Sequence, residues 1–227
     1  MKNPKKTTKK QVLLVDDHPI LRQGLAFLIN QEENLQVCAE LSSASEALKY
    51  LQKNRPDIII LDLTLAKGMG GLELMKQLKS MGVEIPILVL SMHDENIYAE
   101  RALRAGAKGY VMKEEASEKV IDAIEKILNG GIFFSEQITA KMLHQFSNKG
   151  QHPPQTSPVE KLSDRELEVF TLLGEGKTTK QIAQLLCLSV KTIETYRANI
   201  KEKLGIANST ELLKQAIEWN QKQKGIL

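Results

Sequence analysis

The chain has 227 residues, 31 Lys and Arg against 28 Asp and Glu, and 42% apolar residues. That size and balance give room for two compact domains and exclude wholesale disorder, collagen and a membrane-span composition. Its five Phe, four Tyr and one Trp argue against a large all-β sandwich and favour α/β with helical architecture. The net charge of +3 says little as a total, but it divides into +5 over residues 1–10, −4 over 11–150 and +2 over 151–227.

Residues 1–10 carry Lys2, Lys5, Lys6, Lys9 and Lys10 and read as a basic, disordered tail. The apolar run behind them is only residues 12–15, ahead of Asp16 and Asp17, too short for a secretory signal. No stretch approaches the roughly 20 apolar residues that a bilayer span requires, so no membrane partner is expected. Cys38 and Cys187 form neither a disulfide framework nor a metal quartet; two buried thiols in a reducing cytoplasm are expected.

From residue 11 to 131, short apolar runs at 12–15, 35–39, 58–61, 87–90 and 110–112 alternate with amphipathic stretches at 21–29, 44–51, 72–78, 97–103 and 120–128. The periodicity switches between two and three-to-four, which predicts five strands and five helices in a doubly wound parallel (βα)5 sheet of the flavodoxin-like kind. Gly130-Gly131 stops the last helix, and residues 132–160 read as a linker with a short helix, proline-rich near its end. Residues 161–227 are helical throughout, with predicted helices at 163–173, 179–186, 190–204 and 209–220. Ser163 and Glu166 have the spacing of a capping box, and Ser189 is placed to cap the third of these helices.

In an open parallel sheet, ligands bind beyond the carboxyl ends of the strands. Four of the five runs end in reactive groups: Asp16 and Asp17 after the first, Asp62 after the third, Ser91 after the fourth and Lys113 after the fifth. Asp57 starts the third run, roughly 15 Å from Asp62, and is left out. Each group alone has an ordinary structural explanation as a helix cap or an ion pair; their convergence on one edge points to a phosphate and metal site. Three clustered carboxylates need a cation, and an oxygen-only cluster with room for water suits Mg²⁺. With charge so neutralised, the Asp62 carboxylate is placed to attack phosphorus and hold an acyl phosphate, Lys113 to neutralise a phosphoryl oxygen, and Ser91 to hydrogen-bond the new group.

Helices 179–186 and 190–204, joined by Cys187-Leu188-Ser189, match a helix-turn-helix whose second helix enters the major groove of double-stranded DNA. At 100° per residue, Ile193, Tyr196, Ile200 and Leu204 share one face and leave Lys191, Glu194, Thr195 and Ala198 on the other. Glu194 accepts from cytosine amino groups, Thr195 bonds either edge and Ala198 touches a thymine methyl. Lys180, Lys191, Thr192, Arg197 and Lys201 suit phosphates, with Arg197 bordering the packed face. A charge of +2 is weak for one copy, so a homodimer on two half-sites is expected. Leu212, Leu213, Ala216 and Ile217 form an apolar stripe that packs either on its own domain or between protomers.

Over about 120 residues the N-terminal half resembles the receiver domain of bacterial response regulators: Val-Asp16-Asp17-His-Pro, Ile-Ile-Ile-Leu-Asp62, Leu-Ser91-Met-His and Gly-Tyr110-Val-Met-Lys113. The steps of 29 residues from Asp62 to Ser91 and 22 from Ser91 to Lys113 resemble the family too. The resemblance implies that a sensor histidine kinase phosphorylates Asp62, with Asp16, Asp17, Asp62 and the Thr64 carbonyl at Mg²⁺. It also implies that Ser91 and Tyr110 are a switch pair, the ring turning inward. After Asp62 the pattern departs from the family, with Ala66 where proline is common and one extra residue before Gly71.

The stretch from Gly174 to Gly205 resembles a LuxR-type DNA-binding domain, spanning residues 161–227. Together the halves are similar to NarL/FixJ-type response regulators, which are transcription factors and not enzymes. The resemblance favours the 212–217 stripe as a protomer contact. A rival remains open at this point: Ile-Ile-Ile-Leu-Asp-Leu-Thr-Leu superficially resembles the start of a haloacid-dehalogenase phosphohydrolase, although Thr64 stands where those enzymes carry a second acid.

Overall fold

The computed structural model describes residues 9–65, 69–140 and 158–223, apart from the side chains of 160 and 223. Two compact units divide at Thr139 and Ala140.

In the first unit, β1 (Lys10–Val15), β2 (Leu35–Leu41), β3 (Ile58–Asp62), β4 (Ile87–Ser91) and β5 (Gly109–Met112) form one parallel sheet in the order β2-β1-β3-β4-β5. Residues 12–15, all of β3 and all of β4 are buried, because helices cover both faces of a parallel sheet and alternation is lost. Helices α1 (Pro19–Asn30), α2 (Ala44–Leu51), α3 (Gly71–Ser80), α4 (Glu95–Ala105) and α5 (Ala116–Leu128) make the crossovers. α1 packs with α5, α2 with α3, and α3 with α4, the two-sided wrapping that right-handed crossovers produce when strand order reverses at β1. α5 buries Ala116, Val120, Ala123, Ile124 and Ile127 at helical spacing against the core. The α/β expectation holds, strand for strand and helix for helix.

Two boundaries differ from the sequence expectation. Lys10 is the first residue of β1 and its ammonium pairs with Asp57 at 2.8 Å, while Lys9 Nζ donates to the Glu32 and Leu35 carbonyls. The ordered sheet therefore starts inside the segment assigned to the tail; residues 1–8 lie outside the described residues. At the other end, Phe133 runs along β5, donating to the Lys108 carbonyl and accepting the Tyr110 N–H, both at 2.8 Å. Ser135 Oγ then accepts the Ile138 N–H of a helical stretch at 136–140, and Ile138 is buried. The first part of the expected linker thus belongs to the N-terminal unit; residues 141–157 lie outside the described residues, as does Ala66.

The second unit is helical. After a 3₁₀ turn at Pro158–Lys161 come α6 (Asp164–Gly174), α7 (Thr179–Leu185), α8 (Val190–Leu204) and α9 (Ser209–Gln223). Ser163 and Thr178 close capping boxes with Glu166 and Gln181, and Ser189 Oγ accepts the Thr192 N–H, so each start is fixed locally by an orphan donor finding an oxygen. Gly205, at φ +68, ends α8. α6 packs against α7, α8 and α9, and α7 against α8.

Candidate functional site

In-register parallel pairing brings four strand ends to one edge: Val15 opposite Leu61, Asp62 opposite Leu90, Ser91 opposite Met112. Asp16, Asp62, Ser91 and Lys113 are all buried there, and Asp17 is half-buried. The Lys113 ammonium lies 2.7 Å from Asp16 Oδ2 and 2.7 Å from Asp62 Oδ2, a close pairing that compensates charges taken out of water. Asp62 Oδ1 accepts the Thr64 N–H at 3.0 Å, which orients the carboxylate from the loop that leaves β3. Asp57 lies at the opposite end of β3, bonded to Lys10 and to the Gln11 N–H.

Three side chains that sequence spacing did not single out complete this edge. His18 Nδ1 lies 3.0 Å from both Asp16 Oδ1 and Asp17 Oδ1, and 3.2 Å from Lys113 Nζ. The Asp62 carboxylate foremost, with Asp16 behind it, raises its pKa from 6.5 to about 9; partial burial and the Lys113 charge act in the opposite direction. Arg22 donates to the Asp16 carbonyl at 2.5 Å and holds the loop after β1 from α1. His93 bridges the loops after β3 and β4: Nε2 is 3.0 Å from Thr64 Oγ1, its N–H donates to Ser91 Oγ at 3.0 Å, and its carbonyl accepts the Tyr110 hydroxyl at 2.7 Å. Its ring stacks on Tyr98 with centroids 4.6 Å apart. The Tyr110 ring is inward, 3% exposed, and burial pushes its pKa far above the ordinary value of 10 despite the Ser91 contact.

One ligand atom each from Asp16, Asp17, His18 and Asp62 falls in a cluster within 4.8 Å. Asp16 Oδ2 is buried, and its contact among the described residues is the Lys113 ammonium at 2.7 Å. A buried carboxylate oxygen of this kind, among two more carboxylates, fits a divalent cation held by oxygen donors.

On α8, Lys191, Glu194, Thr195 and Ala198 are exposed and Ile193 and Ile200 buried, as helical phase requires; Lys180 is exposed on α7 and Lys201 half-exposed. Thr192 is half-buried at the Ser189 cap. Arg197 departs from the phosphate assignment: its guanidinium donates to Thr179 Oγ1 at 2.5 Å and to Glu194 at 3.4 Å, tying α8 to α7. The apolar stripe on α9 is also corrected. Leu212 and Ala216 are fully buried within the chain, because Gly174 on α6 lets the helices approach closely enough that a Cβ there would sit 2.4 Å from the Ala216 carbonyl. Leu213 is exposed and Ile217 partly so. The thiols differ from expectation too: Cys38 is half-buried, and Cys187 is exposed in the α7–α8 turn at φ 51. No described helix is long and apolar enough to cross a membrane.

Residues 12–125 match the family model for the response regulator receiver domain, and residues 160–216 that for bacterial regulatory proteins of the luxR family. The oxygen regulatory protein NreC of Staphylococcus epidermidis is 32% identical over 211 residues, 92% of this chain and 97% of NreC. Among solved structures, RcsB from Salmonella enterica serovar Typhimurium, bound to promoter P1flhDC in the presence of phosphomimetic BeF3⁻, aligns with a TM-score of 0.59 and 26% identity over 92% of this chain and 98% of that one. A LuxR-family two-component response regulator from Aurantimonas sp. SI85-9A1 aligns with a TM-score of 0.55 and 35% identity over 62% of this chain and 99% of that one. With receiver and helix-turn-helix both matched along a full-length relative, the chain belongs to the response regulators of two-component systems that join a receiver to a LuxR-type DNA-binding domain, a family of phosphorylation-dependent transcription regulators.

Proposed function

We propose that Asp62 accepts a phosphoryl group from a sensor histidine kinase, and that residues 161–227 bind a promoter operator as a homodimer once it does. The observation that carries this reading is Asp62 itself, buried at a strand end with Lys113 at 2.7 Å and two further carboxylates beside it. An Asp62 oxygen attacks phosphorus; the bond from phosphorus to the donor nitrogen breaks, its electron pair returns to the imidazole, and an acyl phosphate remains. Asp16, Asp17, Asp62 and the Thr64 carbonyl would hold Mg²⁺, which when bound would supply charge neutralisation to the incoming phosphoryl group. Lys113 exchanges its contact with Asp62 for a phosphoryl oxygen. Ser91 Oγ, which accepts from the His93 N–H, turns to donate to the phosphoryl group, and the His93 carbonyl that holds Tyr110 shifts with it. Two free thiols suit a reducing cytoplasm.

On the DNA side, Glu194, Thr195 and Ala198 read bases while Lys180, Lys191, Thr192 and Lys201 meet phosphates; Arg197 positions α8 from behind. Leu213 and Ile217, the exposed part of the α9 stripe, are left for the protomer contact. RcsB has been seen on DNA and as dimers on DNA, which supports the same arrangement. The test is full-length protein with Mg²⁺ and acetyl phosphate: the parent gains acid-labile phosphate and operator affinity, and Asp62→Asn gains neither. Equal labelling of Asp62→Asn overturns the phosphoacceptor assignment, and operator binding indifferent to phosphate overturns the switch.

A further inference from the structure

The chemistry proposed above needs Asp16 and Asp17 held in place, and the backbone around them offers little to do so. Asp16 lies one residue past the end of β1, and only Asp17 and His18 separate it from α1 at Pro19. Its N–H donates to the Leu41 carbonyl at 3.1 Å. Its carbonyl stands outside the ladder, and the residue three further on, whose N–H would close a turn onto it, is Pro19, which has none. The donor comes instead from a side chain one turn into the helix: an Arg22 guanidinium N–H reaches the Asp16 carbonyl at 2.5 Å.

Arg22 is itself held from the edge strand β2. Its Nε lies 3.6 Å from Glu40 Oε2, with the arginine side chain 17% exposed and the glutamate 38%. Glu40 reaches this side because the strand is irregular. Val12 pairs with Val37 but Leu13 pairs with Ala39, so Cys38 is an extra residue, its thiol donating to the Val12 carbonyl at 3.3 Å. Alternate residues of a strand point to opposite faces, and one extra residue reverses the alternation beyond it. Glu40 thereby stands opposite Leu14, which with Val12 packs in the cluster that holds Leu25, Ala26 and Ile29 of α1. In unbroken register it would stand opposite Val15 and face away. The bulge thus delivers a carboxylate to Arg22. A guanidinium presents its N–H groups in a fixed planar fork, so one edge serves a carbonyl while another faces a carboxylate; an ammonium is a point charge on a flexible stem.

We propose that Arg22 is a positioning residue for phosphoryl transfer: anchored by Glu40, it fixes the Asp16 carbonyl and so sets the Asp16 and Asp17 carboxylates for the divalent cation. This role rests on the reading of the edge as a Mg²⁺-dependent phosphoacceptor site. Charge and clamp predict opposite signs. Arg22 brings positive charge towards an acidic pocket, so by charge alone its removal tightens a cation; as a clamp, its removal weakens one.

The experiment compares the full-length parent with Arg22→Ala, Arg22→Lys, Glu40→Gln and Arg22→Ala combined with Glu40→Gln. Mg²⁺ affinity is measured by isothermal titration, and acetyl phosphate labelling is followed across a Mg²⁺ series. Arg22→Ala should weaken Mg²⁺ by about 10-fold and raise the Mg²⁺ needed for half-maximal labelling alike. Its labelling rate at saturating Mg²⁺ should stay within about twofold of the parent, because Asp62 and Lys113 are untouched. Arg22→Lys, with the charge but not the fork, should recover only part of the affinity. Glu40→Gln should weaken Mg²⁺ severalfold in the parent and have no effect once Arg22 is gone. Mg²⁺ affinity unchanged or raised in Arg22→Ala, or a saturated rate that falls as far as the affinity, overturns the role of Arg22. Full recovery by Arg22→Lys, or equal effects of Glu40→Gln in both backgrounds, overturns the two-sided clamp. Absence of Mg²⁺-dependent labelling in the parent overturns instead the reading beneath it.

Discussion

Gly71 has no room for a side chain: a Cβ there would lie 2.3 Å from the Asp62 carbonyl oxygen and 2.7 Å from Leu63 Cα. Both opposing atoms are backbone, so nothing can rotate away, and Gly71→Ala has to push α3 off the end of β3. The expected result is about 1–3 kcal/mol of lost stability on denaturant titration, with phosphorylation of Asp62 falling because its loop is displaced. Glu166 gives a prediction about pH. Burial alone would raise its pKa, but the Lys203 ammonium at 2.6 Å and the Ser163 N–H outweigh burial and leave it below 4.5. A carboxylate whose folded-state pKa is depressed stabilises the fold above its unfolded value, and that contribution fades as pH falls through the folded one. Thermal melts of Lys203→Ala against the parent should therefore differ most above about pH 4.5 and converge in acid. At this scale the sequence showed the groups that end apolar runs, since Asp16, Asp62, Ser91 and Lys113 follow directly from strand positions. It did not show His18, Arg22 or His93, which sit on loops and a helix start where no periodicity assigns a direction.

Strands and helices were legible because parallel strands buried on both faces read as unbroken apolar runs and their crossovers as helical stripes. α9 was legible as a helix but not in its partner. Leu212, Leu213, Ala216 and Ile217 make one continuous stripe on paper, yet the close approach at Gly174 draws Leu212 and Ala216 into the packed interior and leaves Leu213 outside. Gly174 is both the last residue of α6 and a contact surface, with Gly176 at φ +79 following it. The outer face of α8 is exposed as its helical phase requires, and the proposed docking divides it between base-reading and phosphate contacts. Replacing Glu194 with Ala should alter base preference at one operator position by about 1–3 kcal/mol, whereas Lys201→Ala should weaken all sequences alike and lower the salt slope by about one ion. Affinities measured on an operator set at two salt concentrations distinguish them, and matching profiles would undo the assignment of the reading face.

On the scale of the whole chain, the uneven charge was informative where the total was not: the acidic excess of residues 11–150 contains the pocket, and the basic ends flank it. Division into two units was legible too, from the proline-rich stretch and the change in period. The place of the boundary was not, because Phe133 owes its position to backbone bonds with β5, which sequence pattern does not encode. Those bonds give the molecule a reporter. The Tyr110 amide is tied not to its sheet neighbour but to the segment that leads out of the first unit, so its exchange with deuterium measures how firmly that segment is docked. Protection at Tyr110 and Phe133 should fall together when Asp62 is phosphorylated and stay unchanged in Asp62→Asn, as read by peptide-resolved mass spectrometry. A sheet edge covered by the chain's own continuation is also closed to a foreign strand; should phosphorylation lower that protection, the uncovered edge would expose the phosphorylated protein to self-association that the resting one is spared.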